Sequence, residues 1–183
     1  VMNNRIEQLP CIPMEASNFG IFLASSCFAE VTGNTILNGS CGINASTYRG
    51  LGKLVISRNR IRVDDCGIAL TLFFMNPKLE SPGADVSNNL VEMQAPTTAE
   101  RANTDTLRAH AGIRLFFIHT DAEFTINNNT VTGGHAGISV MNCSSPTHNS
   151  NSSITVKGGS VSGCDYGVLV SNNTYTYGAE QKG

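Results

Sequence analysis

The sequence predicts an all-β solenoid, a parallel β-helix of about six stacked coils, and three observations support this prediction. Apolar and polar residues alternate in short stretches such as "FTINNNTV" at 124–131, which is the period of a β-strand. A short motif built around asparagine recurs along the whole chain, and a Gly-Ile or Gly-Val pair follows each copy. Regular recurrence of this kind is typical of stacked structural repeats.

The asparagine motif reads apolar-x-x-Asn-x-apolar, and its copies follow one another at intervals of 25 to 40 residues. The six copies are Val1/Asn4/Ile6, Val31/Asn34/Ile36, Ile56/Asn59/Ile61, Val86/Asn89/Val91, Ile126/Asn129/Val131 and Val156/Gly159/Val161, the last with Gly in place of Asn. Asn and Gly tolerate left-handed backbone conformations. We therefore expect each of them to bend the chain between two short strands, and the asparagines of successive coils to hydrogen-bond to one another.

The Gly-Ile pair predicts the third strand of each coil. The pairs are Gly20-Ile21, Gly42-Ile43, Gly67-Ile68, Gly112-Ile113, Gly137-Ile138 and Gly167-Val168. In four of the six copies the Gly lies eight residues after the central Asn or Gly, and in the first and fourth copies the gap is longer. Three short strands and three bends make a triangular coil, and stacked coils pair as parallel strands.

This pattern resembles the right-handed parallel β-helix of the pectate lyase-like superfamily over nearly the whole chain. The resemblance implies a solenoid of six coils with long loops on one face, along which sugar polymers bind. Parts of the polygalacturonase motifs also recur, as "DDC" at 64–66, "NTD" at 103–105 and "GGHAGIS" at 133–139. Their order differs from that family, and no Arg-x-Lys follows. If the kinship holds, Asp65 and His135 are the matching positions.

Composition narrows the function classes. The chain has 183 residues, of which 40% are hydrophobic and 14% charged, with a net charge of −2. This leaves no basic field for nucleic acid, and the longest apolar stretch is too short to span a bilayer, so we expect neither nucleic-acid binding nor membrane insertion. The six cysteines contain no Cys-x-x-Cys pair, which argues against structural zinc.

We expect a single β-helix domain over residues 1–183 that is a fragment of a longer chain. The first motif begins at residue 1, whereas the ends of a solenoid need caps. The N-terminal cap is therefore expected to be missing, with further coils or another chain covering that end.

The alternation assigns the side chains of the Gly-Ile strand to two sides. We expect the Ile, the apolar residue two positions later and the residue just before the Gly to face the core. The last set includes Cys41 and Cys66, at equivalent positions of adjacent coils. They are expected to form a buried stack of free thiols. A disulfide is the alternative, and it is geometrically demanding.

Two sets of residues are predicted to line the outward face of the Gly-Ile strand. The polar column, two residues before each Gly, is Asn18, Ser40, Asp65, His110, His135 and Asp165. The outer column, two residues after each Gly, is Phe22, Asn44, Ala69, Arg114, Ser139 and Leu169. The long joints at 71–84, 94–108, 116–123 and 141–153 are expected to wall a groove along this face, where function tends to reside.

Asp65, His110, His135, Asp165 and Arg114 are the candidate catalytic residues. A carboxylate beside an imidazole makes a general acid or base, and an Arg can hold the carboxylate of a sugar acid. Proton abstraction at a sugar acid and hydrolysis by paired carboxylates are both compatible with this set. Asn44, Ser139 and Asp105 are the candidate substrate contacts. No cofactor is predicted, although two imidazoles with carboxylates could bind a divalent metal. The alternative is that these polar residues only form a solvated face.

Two hypotheses for the function follow. The first is an extracellular or cell-surface carbohydrate-active module that binds an acidic polysaccharide and cleaves or epimerises it, as a lyase, glycoside hydrolase or epimerase. The second is a non-catalytic adhesin, passenger or spacer segment. The enzyme hypothesis predicts a groove over the polar column, and the adhesin hypothesis predicts a flat face.

Overall fold

The computed structural model describes residues 1–8, 18–24, 29–46, 53–73, 83–98, 102, 110–118, 123–141 and 153–171. Seventeen strands run through these residues. They are β1 (Arg5–Glu7), β2 (Phe19–Ala24), β3 (Glu30–Thr32), β4 (Thr35–Leu37), β5 (Cys41–Ser46), β6 (Leu54–Ser57), β7 (Arg60–Val63), β8 (Cys66–Phe73), β9 (Gly83–Ser87), β10 (Leu90–Met93), β11 (Ala111–Ile118), β12 (Glu123–Asn127), β13 (Thr130–Thr132), β14 (Ala136–Met141), β15 (Ser153–Lys157), β16 (Ser160–Ser162) and β17 (Tyr166–Ser171).

These strands form three parallel sheets, and each strand pairs with the strand three places further along the chain. Sheet A consists of the strands that precede the motif Asn or Gly of each coil, and its order is β3-β6-β9-β12-β15. Sheet B, after the asparagine, has the order β1-β4-β7-β10-β13-β16. Sheet C, the Gly-Ile strands, has the order β2-β5-β8-β11-β14-β17. The fold is therefore a parallel β-helix of six coils, as predicted.

The core is a stack of aliphatic side chains from all three sheets. The motif residues fill it: Val31, Ile56, Val86 and Ile126 from sheet A, Ile36, Ile61, Val91 and Val131 from sheet B, and Ile43, Ile68, Ile113 and Ile138 from sheet C. Equivalent residues of successive coils are register partners, as Ile36 is with Ile61. Each β-branched side chain therefore packs on a similar one about 4.8 Å away.

An asparagine ladder runs along the bend between sheets A and B. The side-chain amide of Asn34 donates to Oδ1 of Asn59 at 2.9 Å, and Asn59 donates to Asn89 in the same way. Asn4 and Asn89 continue the ladder at its two ends, to Asn34 and Asn129. The predicted hydrogen bonding between bend asparagines is confirmed.

The left-handed residue at this bend is the one before the ladder asparagine, which corrects the prediction. Positive φ angles occur at Asn3 (56°), Arg58 (54°), Asn88 (56°) and Asn128 (52°), and at the equivalent Gly33 and Gly158. None of the five ladder asparagines has a positive φ. Their role is to satisfy backbone groups: Asn129, for example, donates to the Val86 carbonyl at 2.8 Å. Only Gly159, in the sixth coil, has a positive φ at the ladder position.

Most of the long joints lie outside the described residues, so the predicted groove walls stay a prediction. The same holds for the expected absence of an N-terminal cap and for any partner covering that end. At this end Val1 and Met2 are 55% and 59% exposed. No helix in the described ranges is both long and apolar enough to cross a membrane.

Candidate functional site

The inward–outward alternation of side chains in sheet C breaks at the glycines, and this decides which side chains reach its outer face. A Cβ on Gly42 would lie 2.5 Å from Cγ2 of Ile61, and one on Gly20 would lie 2.5 Å from Cγ2 of Ile36. Both isoleucines belong to the core, so the glycines face inward. The following Ile43 is also in the core. The alternation is therefore interrupted at the Gly-Ile pair. A Cβ would clash in five of the six coils, at Gly20, Gly42, Gly67, Gly112 and Gly137, but would meet no described residue at Gly167.

The prediction that the residue before each Gly faces the main core is wrong for Cys41 and Cys66. Both are buried, as expected, but they pack with Ala69 in a separate cluster. Ala69 is an outer-column residue, so the two sulfurs lie on the outer side of sheet C. Both are free thiols. Charged side chains lie near both sulfurs, since the charges of Arg114 and Asp65 shift the pKa of each thiol, Arg114 downward and Asp65 upward.

The backbone of the polar column is stacked as predicted. The amide of Ala136 donates to the His110 carbonyl at 3.2 Å, and the amide of Tyr166 donates to the His135 carbonyl at 2.9 Å. Ala111 donates to the Asp65 carbonyl in the same way at 3.2 Å. Asp65, His110, His135 and Asp165 therefore occupy equivalent positions on four successive coils.

His135 and Asp165 make direct contact. Nδ1 of His135 lies 2.8 Å from Oδ2 of Asp165. The imidazole is 11% exposed and the carboxylate 38% exposed. The Tyr166 ring meets the imidazole edge-on, with centroids 5.1 Å apart, and is itself 49% exposed. A carboxylate at Nδ1 favours the tautomer with a proton on that nitrogen, which leaves Nε2 as the atom that can accept a proton.

His110 is separate from this pair. It is 1% exposed, and its Nδ1 atom has no hydrogen-bond partner in the described part of the chain. A Cβ on Gly134 would lie 3.5 Å from this nitrogen, so the imidazole packs against the backbone of the next coil. The sequence placed His110 and His135 as equivalents, but their surroundings differ.

Asp65 and Arg114 form a second group together with the thiols. Burial lowers the pKa of Arg114, but the negative charges of Cys66 and Asp65 outweigh this effect and raise it. The five candidate catalytic residues thus divide into a His135–Asp165 pair, a charged cluster around Arg114, and a buried His110.

The outer column contains buried oxygens without partners. Asn44, Ala69, Arg114 and Ser139 are successive register partners on β5, β8, β11 and β14. Asn44 is 9% exposed and Ser139 is fully buried. Within the described part of the chain, Oδ1 of Asn44 and Oγ of Ser139 are buried without a hydrogen-bond partner, as is Oγ1 of Thr71 on the same face. Asp105, the third candidate substrate contact, lies outside the described residues.

Burial varies along this face: His110, His135, Asn44 and Ser139 are buried, whereas the Asp165 side chain is 38% exposed. Buried polar atoms without partners are rare in folded proteins, and these three oxygens lie on the face that carries the candidate site residues. No group of three or more metal-ligating side chains occurs among the described residues.

Sequence reasoning missed the position of the thiols and of Tyr166. A strand position that is glycine in all six coils was the available signal, because it marks a place where the chain approaches its neighbours too closely for a Cβ. No protein-family model, curated protein or solved structure matches the chain significantly.

Proposed function

We propose that this β-helix is an extracellular carbohydrate-active module related to the pectate lyase-like superfamily. In this proposal an acidic polysaccharide lies along the outer face of sheet C and reacts at His135. The observation that carries the proposal is the 2.8 Å contact between Nδ1 of His135 and Asp165.

The His135–Asp165 pair has the parts of a general acid–base catalyst. The Asp165 carboxylate fixes the orientation of the imidazole, which directs Nε2 away from the carboxylate. The imidazole is largely buried while the carboxylate remains partly exposed, so the pair lies at the border between the protein and solvent. A positioned histidine contributes roughly 10²- to 10⁴-fold to a proton-transfer step.

Arg114 of the outer column and Tyr166 supply the binding contacts in this proposal. The Ser139 hydroxyl and Oδ1 of Asn44 are buried, so the contacts that a sugar can reach directly are those of Arg114 and Tyr166. Arg114 carries the positive charge that an acidic sugar requires, and its planar guanidinium suits a carboxylate. Tyr166 offers an exposed aromatic ring beside the catalytic pair, on which the apolar face of a sugar ring can pack.

The spacing favours proton abstraction over hydrolysis by Asp65 and Asp165. These two carboxylates lie three coils apart, which is about 14 Å at about 4.8 Å per coil. Hydrolysis by paired carboxylates requires a separation of roughly 5 to 9.5 Å. A lyase or an epimerase removes a proton next to a sugar carboxylate, and this step needs one base such as His135 and no second carboxylate.

The separation of the two groups favours a polymer over a single sugar. Arg114 lies four residues after His110, and His110 stacks on His135 of the next coil. This offset is roughly 13 Å at about 3.3 Å per residue. Arg114 would therefore hold one sugar unit while His135 acts on another unit further along the same polymer.

Product release from a panel of acidic and neutral polysaccharides tests the proposal. Wild-type protein is compared with His135→Ala and Arg114→Ala, and Arg62→Ala serves as the control because Arg62 is an exposed arginine on sheet B. Ultraviolet absorbance reports unsaturated products of a lyase, new reducing ends report any cleavage, and proton NMR of the polymer reports epimerisation.

We expect turnover of an acidic polymer that falls at least about 100-fold in His135→Ala. Arg114→Ala should weaken binding of acidic polymers, and Arg62→Ala should change neither property. Tight binding of a polymer with no turnover, unaffected by His135→Ala, would contradict the catalytic assignment and favour the adhesin hypothesis.

A further inference from the structure

Cys41 and Cys66 occupy facing positions on adjacent coils. They are register partners in the parallel pair of β5 and β8, where neighbouring backbones lie about 4.8 Å apart. Disulfides usually join residues whose Cα atoms are roughly 4.4 to 6.8 Å apart. Both residues are free. The Cys41 thiol donates to the Ile43 carbonyl at 3.8 Å, and it also lies close enough to the Cys66 sulfur to affect its pKa.

The two thiols differ in acidity. The Cys41 thiol lowers the pKa of Cys66, burial opposes this effect, and the nearby Arg114 charge lowers the pKa further. For Cys41, the interaction with Cys66 and burial both raise the pKa. Cys66 is therefore the sulfur that more readily becomes a thiolate, and Cys41 is the one that keeps its proton.

We propose that Cys41 and Cys66 are a peroxide-reactive dithiol that closes to a disulfide between the second and third coils. The geometric basis is the register pairing of the two thiols on the outer face of sheet C, beside the Arg114 guanidinium. This modification site is independent of what the face binds.

The reaction with hydrogen peroxide balances in two steps. The Cys66 thiolate attacks one peroxide oxygen, the O–O bond breaks, and the other oxygen leaves as hydroxide and takes up a proton to form water. The resulting sulfenic acid on Cys66 is then attacked by the Cys41 sulfur. The S–S bond forms, the S–O bond breaks, and the hydroxyl leaves as water with the Cys41 proton. In total, two thiols are oxidised and one peroxide is reduced to two waters.

Burial makes the site selective for a small oxidant. Cys41 is 4% exposed and Cys66 is fully buried. Hydrogen peroxide is close to water in size and enters through local openings of the structure, whereas a tripeptide disulfide such as oxidised glutathione requires a much larger opening. Cys164 is the matched control, because it is more exposed while burial and the charge of Asp165 raise its pKa.

The experiment treats the reduced protein with increasing hydrogen peroxide or oxidised glutathione. Remaining thiols are alkylated, the chain is digested without reduction, and mass spectrometry quantifies each cysteine. Cys41→Ser and Cys66→Ser are treated in parallel with dimedone, which traps sulfenic acids. The wild-type result does not depend on the folding of either variant.

We expect peroxide to remove the Cys41 and Cys66 thiols in equal amounts, as one disulfide-linked peptide, at concentrations that leave Cys164 alkylated. Oxidised glutathione should leave both thiols intact. Dimedone should label Cys66 in Cys41→Ser and should not label Cys41 in Cys66→Ser. Earlier oxidation of Cys164, loss of one thiol without the other, a glutathione adduct on Cys66, or a dimedone adduct on Cys41 would each overturn the proposal.

Discussion

Replacement of Asn89 by Ala removes the middle of the asparagine ladder. Asn89 is 2% exposed. Its Oδ1 accepts from the backbone amide and the side-chain amide of Asn59, at 3.0 and 2.9 Å. Its own side-chain amide donates to the Ile56 carbonyl at 3.0 Å and to Oδ1 of Asn129 at 2.9 Å. Alanine therefore breaks four hydrogen bonds and leaves their partners buried.

The magnitude follows from these four bonds. At about 1 kcal/mol net for each hydrogen bond, the free energy of unfolding falls by about 4 kcal/mol. This is a large fraction of the roughly 5 to 15 kcal/mol that stabilises a typical domain. Asn4 at the ladder end is the matched control, because its exposed side chain makes only two hydrogen bonds. Asn4→Ala should cost about 1 kcal/mol.

Urea unfolding monitored by far-ultraviolet circular dichroism measures both variants. With a slope of about 2 to 3 kcal/mol per molar, Asn89→Ala should lower the midpoint by about 1 to 2 M. Solenoids are stabilised by contacts between neighbouring coils, so the transition can also split into two steps at the weakened interface. If Asn89→Ala costs no more than Asn4→Ala, the ladder does not stabilise the stack and the reasoning is refuted.

Two further predictions concern the backbone. Arg58 has a φ of 54° at a bend where other coils place Asn or Gly, so Arg58→Gly should raise the free energy of unfolding by roughly 0.5 to 1 kcal/mol. The control Arg62→Gly, inside β7, should lower it. A lower free energy of unfolding in Arg58→Gly would contradict this reasoning. Gly67→Ala places a Cβ 2.5 Å from the Gly112 carbonyl oxygen and should cost about 3 kcal/mol in the same urea assay. No described residue lies within 4 Å of a Cβ added to Gly167, so equal effects of Gly67→Ala and Gly167→Ala would exclude the steric explanation.

The repeat determined much of the fold in advance. Six copies of one motif identified the three sheets, the register of the core and the asparagine ladder, because a period in the sequence becomes a stack in space. The bend itself was misplaced by one residue. Asn3, Asn88 and Asn128 precede ladder asparagines, so composition alone cannot tell which member of each Asn-Asn pair turns the chain and which hydrogen-bonds along it.

The site was predicted less completely than the fold, because Gly67 and its equivalents interrupt the alternation of side chains. Strict alternation assigned Cys66 to the core, but the glycine interrupts that alternation and Cys66 lies on the outer face beside Arg114. The sequence placed His110 and His135 in one column, which the backbone stacking reproduces. It could not tell that His135 contacts a carboxylate while His110 is buried apart from that pair, because the contact depends on side-chain direction at a bend.

The tautomer of His135 is the measurement that tests the central claim most directly, and it requires no substrate. Nitrogen-15 NMR of the imidazole in alkaline buffer distinguishes a proton on Nδ1 from a proton on Nε2. If Asp165 orients a catalytic base, the proton lies on Nδ1 in the wild type, and Asp165→Asn shifts the population toward Nε2. A wild-type imidazole protonated on Nε2, and unchanged in Asp165→Asn, would contradict the catalytic pair.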